Sequence, residues 1–134
     1  MQTWIAVLIA AAIQMALGAF WYSPAGFGKI WMKEMNYKID DMKKASKNMG
    51  KLYLAASIGS LITAFVLSRV ILLTNTASPG AGAAMGLLLW LGFIVPVMLG
   101  NVLWEQRTIK VYVINIAYHL VALLLMGTVI GALV

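Results

Sequence analysis

The chain has 134 residues, of which 63% are hydrophobic and 10% are charged, and its formal net charge is +6. A soluble domain of this length could not bury so much apolar surface, so the composition predicts an integral membrane protein. The chain has no cysteine and a single histidine, which excludes disulfides, thiolate chemistry and a conventional multi-ligand metal centre. We therefore expect no metal and no cofactor.

The basic charge is concentrated in one segment. Seven of the ten basic residues fall between Lys29 and Lys51, beside a membrane span. Topology and anionic lipid headgroups explain such a cluster better than nucleic acid does. We expect the bilayer, with anionic headgroups at these lysines, to be the partner of this segment, and we expect no nucleic acid.

Four apolar segments are each long enough, at ~1.5 Å rise per residue, to cross a hydrocarbon core of ~30 Å. They are residues 3–22, 52–73, 81–104 and 111–134. The first has full membrane length and no basic residue before it, so it predicts a retained span rather than a signal peptide. Short connections between the later spans force antiparallel neighbours. The sequence thus predicts one all-α membrane domain over residues 1–134, with four transmembrane helices running up and down.

The charge of the loops predicts the orientation in the membrane. The connector of residues 23–51 holds seven lysines, and the loop of residues 105–110 holds Arg107 and Lys110. The remaining loop and both tails hold no Lys or Arg. The positive-inside rule places both charged loops in the cytoplasm and both termini outside it. We expect a multi-pass protein of the cell (inner) membrane.

The connector is too long for a simple turn. Phe27, Trp31 and Met35 recur at every fourth position, with lysines on other faces, which predicts a short amphipathic helix in the interface between spans one and two. Asp40 is a suitable N-cap for a second helix that leads toward span two. Ser78 is a suitable N-cap for span three.

Small residues at helical spacing predict where the spans pack. In span two, a repeat of four positions forms a continuous groove made of Ala56, Ser60, Ala64 and Ser68. The other small pairs are Ala12 and Ala16 in span one, Gly82 and Gly86 in span three, and Gly127 and Gly131 in span four. The glycine pairs suit either homodimerisation or packing within the chain, and we favour packing within the chain.

Polar side chains inside the membrane are the candidates for chemistry, because each one costs free energy there. They are Gln14 in span one, Asn101 and Glu105 in span three, and Asn115 and His119 in span four. The last two pairs are each four residues apart and therefore share a helix face. Together the five residues could line a polar pocket open to the cytoplasmic side, in which His119 carries or senses a proton. Glu105 could also pair with a connector lysine and hold the amphipathic helix in place.

A purely structural role is the competing interpretation, and we favour it. Pro96 has no N–H and leaves the carbonyl of Gly92 without its helical partner, which predicts a helix break. His119 or Gln14 could donate a hydrogen bond to that carbonyl. The buried histidine would then bridge two helices and do no chemistry.

The end of span one carries a recognisable pattern, in which Trp-Tyr-Ser-Pro is followed by Phe-Gly-Lys and a further tryptophan. The residues are Trp21, Tyr22, Ser23, Pro24, Phe27, Gly28, Lys29 and Trp31. In this pattern and in its four spans, the chain resembles the bacterial membrane proteins grouped as domain of unknown function 1761. Gly26 stands where that family usually has a bulky residue, which predicts a looser turn here. The resemblance implies a fold and a membrane location, and no activity or cofactor.

The same pattern can be interpreted as a membrane boundary. Trp21 and Tyr22 would belong to an interfacial aromatic belt. Ser23 and Pro24 would end the span, and Lys29 would hold this side in the cytoplasm. If the segment also closes over the polar residues behind it, it is a lid.

The chain has no phosphate-binding glycine loop, nucleophile elbow or zinc-protease motif, and we do not expect an enzyme. The leading hypothesis is an oligomeric membrane protein that binds a lipid or small amphiphile, or supports a membrane partner. The alternative is a small oligomeric transporter or channel whose pathway uses the intramembrane polar residues. Such a pathway needs an oligomer, because a four-helix bundle has little room for a pore.

Overall fold

The computed structural model describes residues 2–134, and within that range the elements are all helical. In chain order they are α1 (Gln2–Trp21), α2 (Gly28–Glu34), α3 (Ile39–Lys47), α4 (Met49–Leu73), α5 (Pro79–Leu89), a π-helical turn (Trp90–Ile94), α6 (Val95–Met98), α7 (Gly100–Leu103) and α8 (Ile109–Leu133). Four stretches are long and apolar enough to cross a membrane, which confirms the predicted fold class. These spans one to four are Thr3–Trp21, Met49–Leu73, Pro79–Leu103 and Ile109–Leu133.

Span four is the centre of the bundle. It packs against spans one, two and three, whereas spans two and three barely touch each other. The buried core consists mainly of small and aliphatic side chains from spans one, two and four, and it includes Ile71, Met126 and Ile130. Most large apolar side chains point outward, as expected for helices whose surroundings are hydrocarbon.

Glycines bring spans three and four into backbone contact. Gly82 lies against Gly127, and Gly86 lies against the carbonyl of Leu123. A β-carbon at any of these glycines would collide with main-chain atoms of the neighbouring helix. The glycine pairs are therefore used for packing within the chain, as predicted.

The small-residue groove of span two is confirmed between Ser60 and Ser68, where it is buried beside span one. Its first member, Ala56, is exposed. The prediction for span one is wrong, because Ala12 and Ala16 lie on the exposed side of that helix. The buried alanines of span one are Ala6, Ala10 and Ala11.

Span three is interrupted around Pro96, as predicted. The helix widens into the π-helical turn of Trp90–Ile94 just before the proline, which is one of the usual ways in which a transmembrane helix absorbs a missing N–H. The Tyr112 hydroxyl of span four donates a hydrogen bond of 2.6 Å to the carbonyl oxygen of Val95. A neighbouring helix therefore does supply a donor to the interrupted segment.

The donor and the carbonyl differ from those expected. In the described part of the chain, neither His119 nor Gln14 donates a side-chain hydrogen bond to the carbonyl of Gly92. The bridge comes from Tyr112, which lies closer than His119 to the first residue of span four, Ile109. A tyrosine that the sequence prediction did not include therefore bridges span four to the interrupted segment.

The connector between spans one and two folds into α2 and α3. They lie at the end of the bundle where span four begins, which is called the connector end below. The N-cap of α3 is Lys38, and the carboxylate of Asp41 accepts its backbone N–H at 3.0 Å. The prediction of Asp40 as N-cap is therefore wrong, because the helix begins two residues earlier than predicted. Ser78 caps span three as predicted, accepting a hydrogen bond from the N–H of Ala81.

Candidate functional site

The motif that follows span one forms a compact turn. The carbonyl oxygen of Ser23 accepts hydrogen bonds from the N–H groups of Gly26 and Gly28, both at 3.0 Å. A β-carbon at either glycine would collide with carbonyl oxygens of residues 20–23. The looser turn expected from Gly26 is therefore wrong, since lack of space requires glycine there. Pro24 is exposed at the tip of the turn.

Trp21 and Tyr22 attach the end of span one to span four. The Nε1–H of Trp21 donates to the carbonyl oxygen of Ile114 at 3.1 Å, and the Tyr22 hydroxyl donates to Oδ1 of Asn115 at 2.6 Å. Tyr22 lies one residue beyond span one, and burial, with a smaller contribution from Tyr118, raises its pKa to about 12. Its hydroxyl therefore stays protonated and remains the donor. Both side chains are half-buried, so they do more than mark the membrane interface.

Aromatic contacts continue from this attachment into the connector. The ring of Tyr22 packs edge-on against Trp31 of α2, with centroids 5.7 Å apart, and against Tyr118 of span four, at 5.6 Å. Trp31 in turn contacts Tyr37 at 5.2 Å. Such offset and edge-on pairs are the favoured geometries of aromatic rings. Trp31 is thus held over the end of the bundle, with its ring turned inward.

Two further contacts hold α2 in place. Phe27 packs on Trp21, with ring centroids 4.9 Å apart. Glu34 forms an ion pair of 3.7 Å with Lys110 at the start of span four, although Lys110 is 72% exposed and the pair contributes little stability. Glu105, the acid expected to hold the connector, is exposed and takes no part in this ion pair. The ion pair thus joins an acid of the connector to a base at the start of span four. This is the reverse of the expected pair, in which Glu105 bound a connector lysine.

Two cavities meet beneath α2, and Tyr22, Trp31 and Met49 line both of them. The inner cavity, of about 520 Å³, lies between spans one, two and four. Its other lining residues are Gln14, Met15, Gly18, Ala19, Leu52, Tyr53, Ala56 and Tyr118. The outer cavity, of about 530 Å³, lies between the connector and span four. Its other lining residues are Met32, Tyr37, Ala45, Ser46 and Asn115.

The inner cavity exists because small side chains meet where spans one and two separate. Gly18 and Ala19 of span one and Ala56 of span two all line it. The small-residue groove of span two is buried from Ser60 to Ser68 and is open at Ala56, which lines the cavity. The sequence pattern that packs these helices together is thus also the pattern that leaves room between them.

Two buried polar atoms of residues that line the inner cavity have no hydrogen-bond partner among the described residues. They are the acceptor Oε1 of Gln14 and the donor Nε1–H of Trp31, and both are buried. Gln14 is only 9% exposed, and its backbone carbonyl already accepts a hydrogen bond from the Tyr118 hydroxyl at 3.0 Å. A buried polar group without a partner costs roughly 1–3 kcal/mol. The two atoms have opposite character, and their residues line the same cavity.

The structure brings two of the five predicted pocket residues to these cavities. Gln14 lines the inner cavity and Asn115 lines the outer one. Asn101 and His119 are half-buried, Glu105 is exposed, and none of these three lines either cavity. The residues that connect Gln14 to Asn115 are the aromatic side chains Tyr22 and Trp31, which line both cavities.

A third, more polar cavity of about 430 Å³ adjoins the other two and is called the mouth cavity. It shares Tyr37 and Ala45 with the outer cavity and Leu52 with the inner one. Its polar lining consists of Asp41, Lys44, Asn48 and Arg107. The three cavities adjoin one another through these shared residues, and together they are called the cleft. It extends from between the spans to the charged lining beside α3.

The groups that line this cleft set what it can do chemically. The inner and outer cavities are lined by amide, phenol, indole and hydroxyl groups and by apolar side chains, with no carboxylate or imidazole. Within residues 2–134, no three His, Cys, Asp or Glu side chains are grouped so that they could hold a metal ion. The groups present can donate and accept hydrogen bonds and can surround an apolar chain.

Fold and cleft together define a small four-span helical membrane protein with a lateral cleft beneath the connector. The chain belongs to the family described as Protein of unknown function (DUF1761), whose model matches residues 5–131. This confirms the resemblance carried by the motif of residues 21–31. Comparison with curated proteins and comparison with solved structures each return no match.

Proposed function

We propose that this protein binds a lipid or small amphiphile in the cleft and is not an enzyme. The observation that carries the proposal is a pair of buried, unpartnered atoms, Gln14 Oε1 and Trp31 Nε1, whose residues line one largely apolar cavity. One atom needs a donor and the other an acceptor. A hydroxyl or amide of a ligand supplies both, once side-chain rotation turns the two atoms toward the cavity.

The shape of the cleft supports an amphiphile over a polar solute. The inner cavity lies between apolar spans, whereas the mouth cavity carries charged residues. An apolar pocket with a few convergent polar groups is the usual form of a small-molecule site. A molecule with an apolar chain and a polar end matches both parts.

The polar contacts have to supply most of the binding free energy. A lipid chain in the bilayer is already surrounded by hydrocarbon, so it gains little hydrophobic free energy by entering the inner cavity. The hydrogen bonds offered by Gln14 and Trp31 are a gain that the bilayer centre cannot provide. Replacing these two side chains is therefore the direct test of the proposal.

We place the protein in a bacterial inner membrane with the connector end on the cytoplasmic side and both termini outside. The support is the lysine-rich connector, together with Arg107 and Lys110 at the same end of the bundle. In this orientation α2 lies as an amphipathic helix at the cytoplasmic interface, and the cleft opens toward that leaflet. The exposed side chains of Ile30 in α2 and of Phe27 just before it would contact the headgroup region.

The alternative of an oligomeric transporter or channel has less support. It needs a connected polar pathway, and the aromatic pair Tyr22 and Trp31 separates Gln14 from Asn115. Asn101 and His119 line neither cavity. The proposal is compatible with an oligomer but, unlike transport, it is also compatible with a monomer.

The test is native mass spectrometry of the protein released from nanodiscs of phosphatidylglycerol and phosphatidylethanolamine. We expect one retained lipid per chain for the natural sequence, and reduced retention for Gln14→Leu and Trp31→Phe. Trp104→Phe is the matched control, because Trp104 is 84% exposed and lines none of the cleft. Equal retention by all four proteins would contradict the proposal.

Thermal stability in lipid-free detergent separates binding from folding. Gln14→Leu removes a buried amide oxygen that lacks a partner, so the variant should melt no lower than the natural sequence. A variant that binds less lipid and is equally stable identifies Gln14 as a ligand contact. A marked loss of stability would instead show that Gln14 serves the fold.

A further inference from the structure

The mouth cavity brings together two cations from separate parts of the chain. Lys44 belongs to α3 in the connector, and Arg107 belongs to the turn that precedes span four. Both side chains line the same cavity and both residues are exposed. The two residues are 63 positions apart in the sequence (107 − 44), so it is the fold that brings them together.

The cations of the mouth cavity have no carboxylate partner among the described residues. The ion pair of the described chain joins Glu34 to Lys110 and involves neither Lys44 nor Arg107. Asp41 also lines the mouth cavity, but its Oδ2 accepts the backbone N–H of Lys38 and so serves as the cap of α3. The cavity therefore keeps an excess of positive charge next to the opening of an apolar cleft.

We propose that the mouth cavity binds the phosphate of an anionic lipid headgroup, with Lys44 and Arg107 as its contacts. The inference rests on the proposed function, because the lipid chain is the part that occupies the inner cavity. Arginine binds phosphate oxygens in a bidentate manner, and lysine adds a compact charge. The chain of such a lipid passes the shared residues Tyr22 and Trp31 on its way to Gln14.

Charge favours an anionic headgroup over a zwitterionic one. The mouth cavity contains two cations and one carboxylate, and that carboxylate is already engaged as a helix cap. A zwitterionic headgroup would bring an ammonium group into this environment, where like charges repel.

The experiment measures headgroup preference in the full-length protein. Native mass spectrometry of protein from nanodiscs with equal amounts of phosphatidylglycerol and phosphatidylcholine gives the ratio of the two bound lipids. The test variant is the pair Lys44→Gln with Arg107→Gln. The control is Lys43→Gln with Lys47→Gln, which removes the same charge from residues that do not line the cleft.

We expect the natural sequence and the control to prefer phosphatidylglycerol. In the test variant this preference should fall roughly thirtyfold, as the removal of two lysine- or arginine-type contacts implies. The preference of the test variant should also lose its dependence on salt. An equal loss of preference in the control would show that the preference arises from general surface charge, and it would overturn the inference. An unchanged preference in the test variant would overturn it as well.

The failure of this inference is distinguishable from that of the proposed function. Suppose that Gln14→Leu and Trp31→Phe reduce retention of both lipids while replacement of Lys44 and Arg107 leaves the lipid ratio unchanged. In that case the cleft binds lipid without selecting its headgroup. If the natural sequence retains neither lipid, both proposals are wrong.

Discussion

The hydroxyl of Tyr22 donates a hydrogen bond of 2.6 Å to Oδ1 of Asn115, and the two residues are 93 positions apart in the sequence. The bond joins the end of span one to span four at the place where the inner and outer cavities meet. The Tyr22 ring also contacts Trp31 in the connector and Tyr118 in span four. The contact that closes this end of the bundle therefore also shapes the cleft.

Replacing Tyr22 with phenylalanine should lower the stability of the protein by about 1 kcal/mol, because Asn115 loses a partly buried hydrogen bond while the ring contacts remain. The free energy of unfolding in detergent, measured by circular dichroism during denaturant titration, reports the change. Tyr53→Phe is the control, since Tyr53 is 53% exposed.

A double-mutant cycle with Asn115→Ala tests whether the effect belongs to this bond. We expect Tyr22→Phe to cost much less in the Asn115→Ala background than in the natural sequence. Strictly additive losses would contradict a direct interaction between the two side chains.

Gly28→Ala should displace the connector, because a β-carbon at this buried position meets the carbonyl oxygens of Tyr22 and Ser23. Overpacking of this kind typically costs 1–3 kcal/mol. The substitution should disturb α2 more than the rest of the bundle. We therefore expect faster amide hydrogen exchange across α2 with little change in span four. Gly50→Ala is the matched control, since nothing lies within 4 Å of an added β-carbon there. Similar exchange in both variants would contradict the compact turn.

The spans and the family motif were predictable from sequence because both depend on local information. Long apolar runs fix the number of crossings, and the charge of the loops limits the connections. The break at Pro96 follows from the chemistry of proline alone. The glycine contacts between spans three and four could also be anticipated, because the spacing of glycines along each helix is local information.

The inward faces of the helices were harder to predict. In a membrane, apolar residues point both to lipid and to the core, so hydrophobicity does not distinguish Ala12 on the outer face from Ala10 on the inner face. Small-residue spacing was correct for span two and wrong for span one for this reason.

The cleft was only partly predictable. Gln14 and Asn115 stood out as polar residues in apolar runs, but so did Asn101 and His119, which lie elsewhere. Trp31 was interpreted as an interfacial residue, because sequence cannot show that the connector folds back over the bundle. The mouth cavity depends on the meeting of Lys44 and Arg107, which no local pattern encodes.

Gly82→Ala should destabilise the bundle strongly, because the added β-carbon meets the main chain of Gly127. Spans three and four would have to separate, at a cost of several kcal/mol, beyond the usual 1–3 kcal/mol of overpacking, since backbone atoms cannot repack. Gly59→Ala is the control: its β-carbon meets nothing within 4 Å, and alanine improves helix propensity by up to about 1 kcal/mol. Melting temperatures in detergent should fall for the first variant and be unchanged or raised for the second. A similar response of both variants would contradict the close contact of the two spans.

The orientation of the protein can be tested with single cysteines, because the natural chain has none. Ala25 lies in the connector and Ala77 lies in the turn between spans two and three, and both are exposed. If the lysine-rich connector is cytoplasmic, a membrane-impermeant maleimide added to spheroplasts should label Ala77→Cys and spare Ala25→Cys. In inside-out vesicles the pattern should invert. Labelling of Ala25→Cys in intact spheroplasts would place the connector, and with it the opening of the cleft, on the outer face of the membrane.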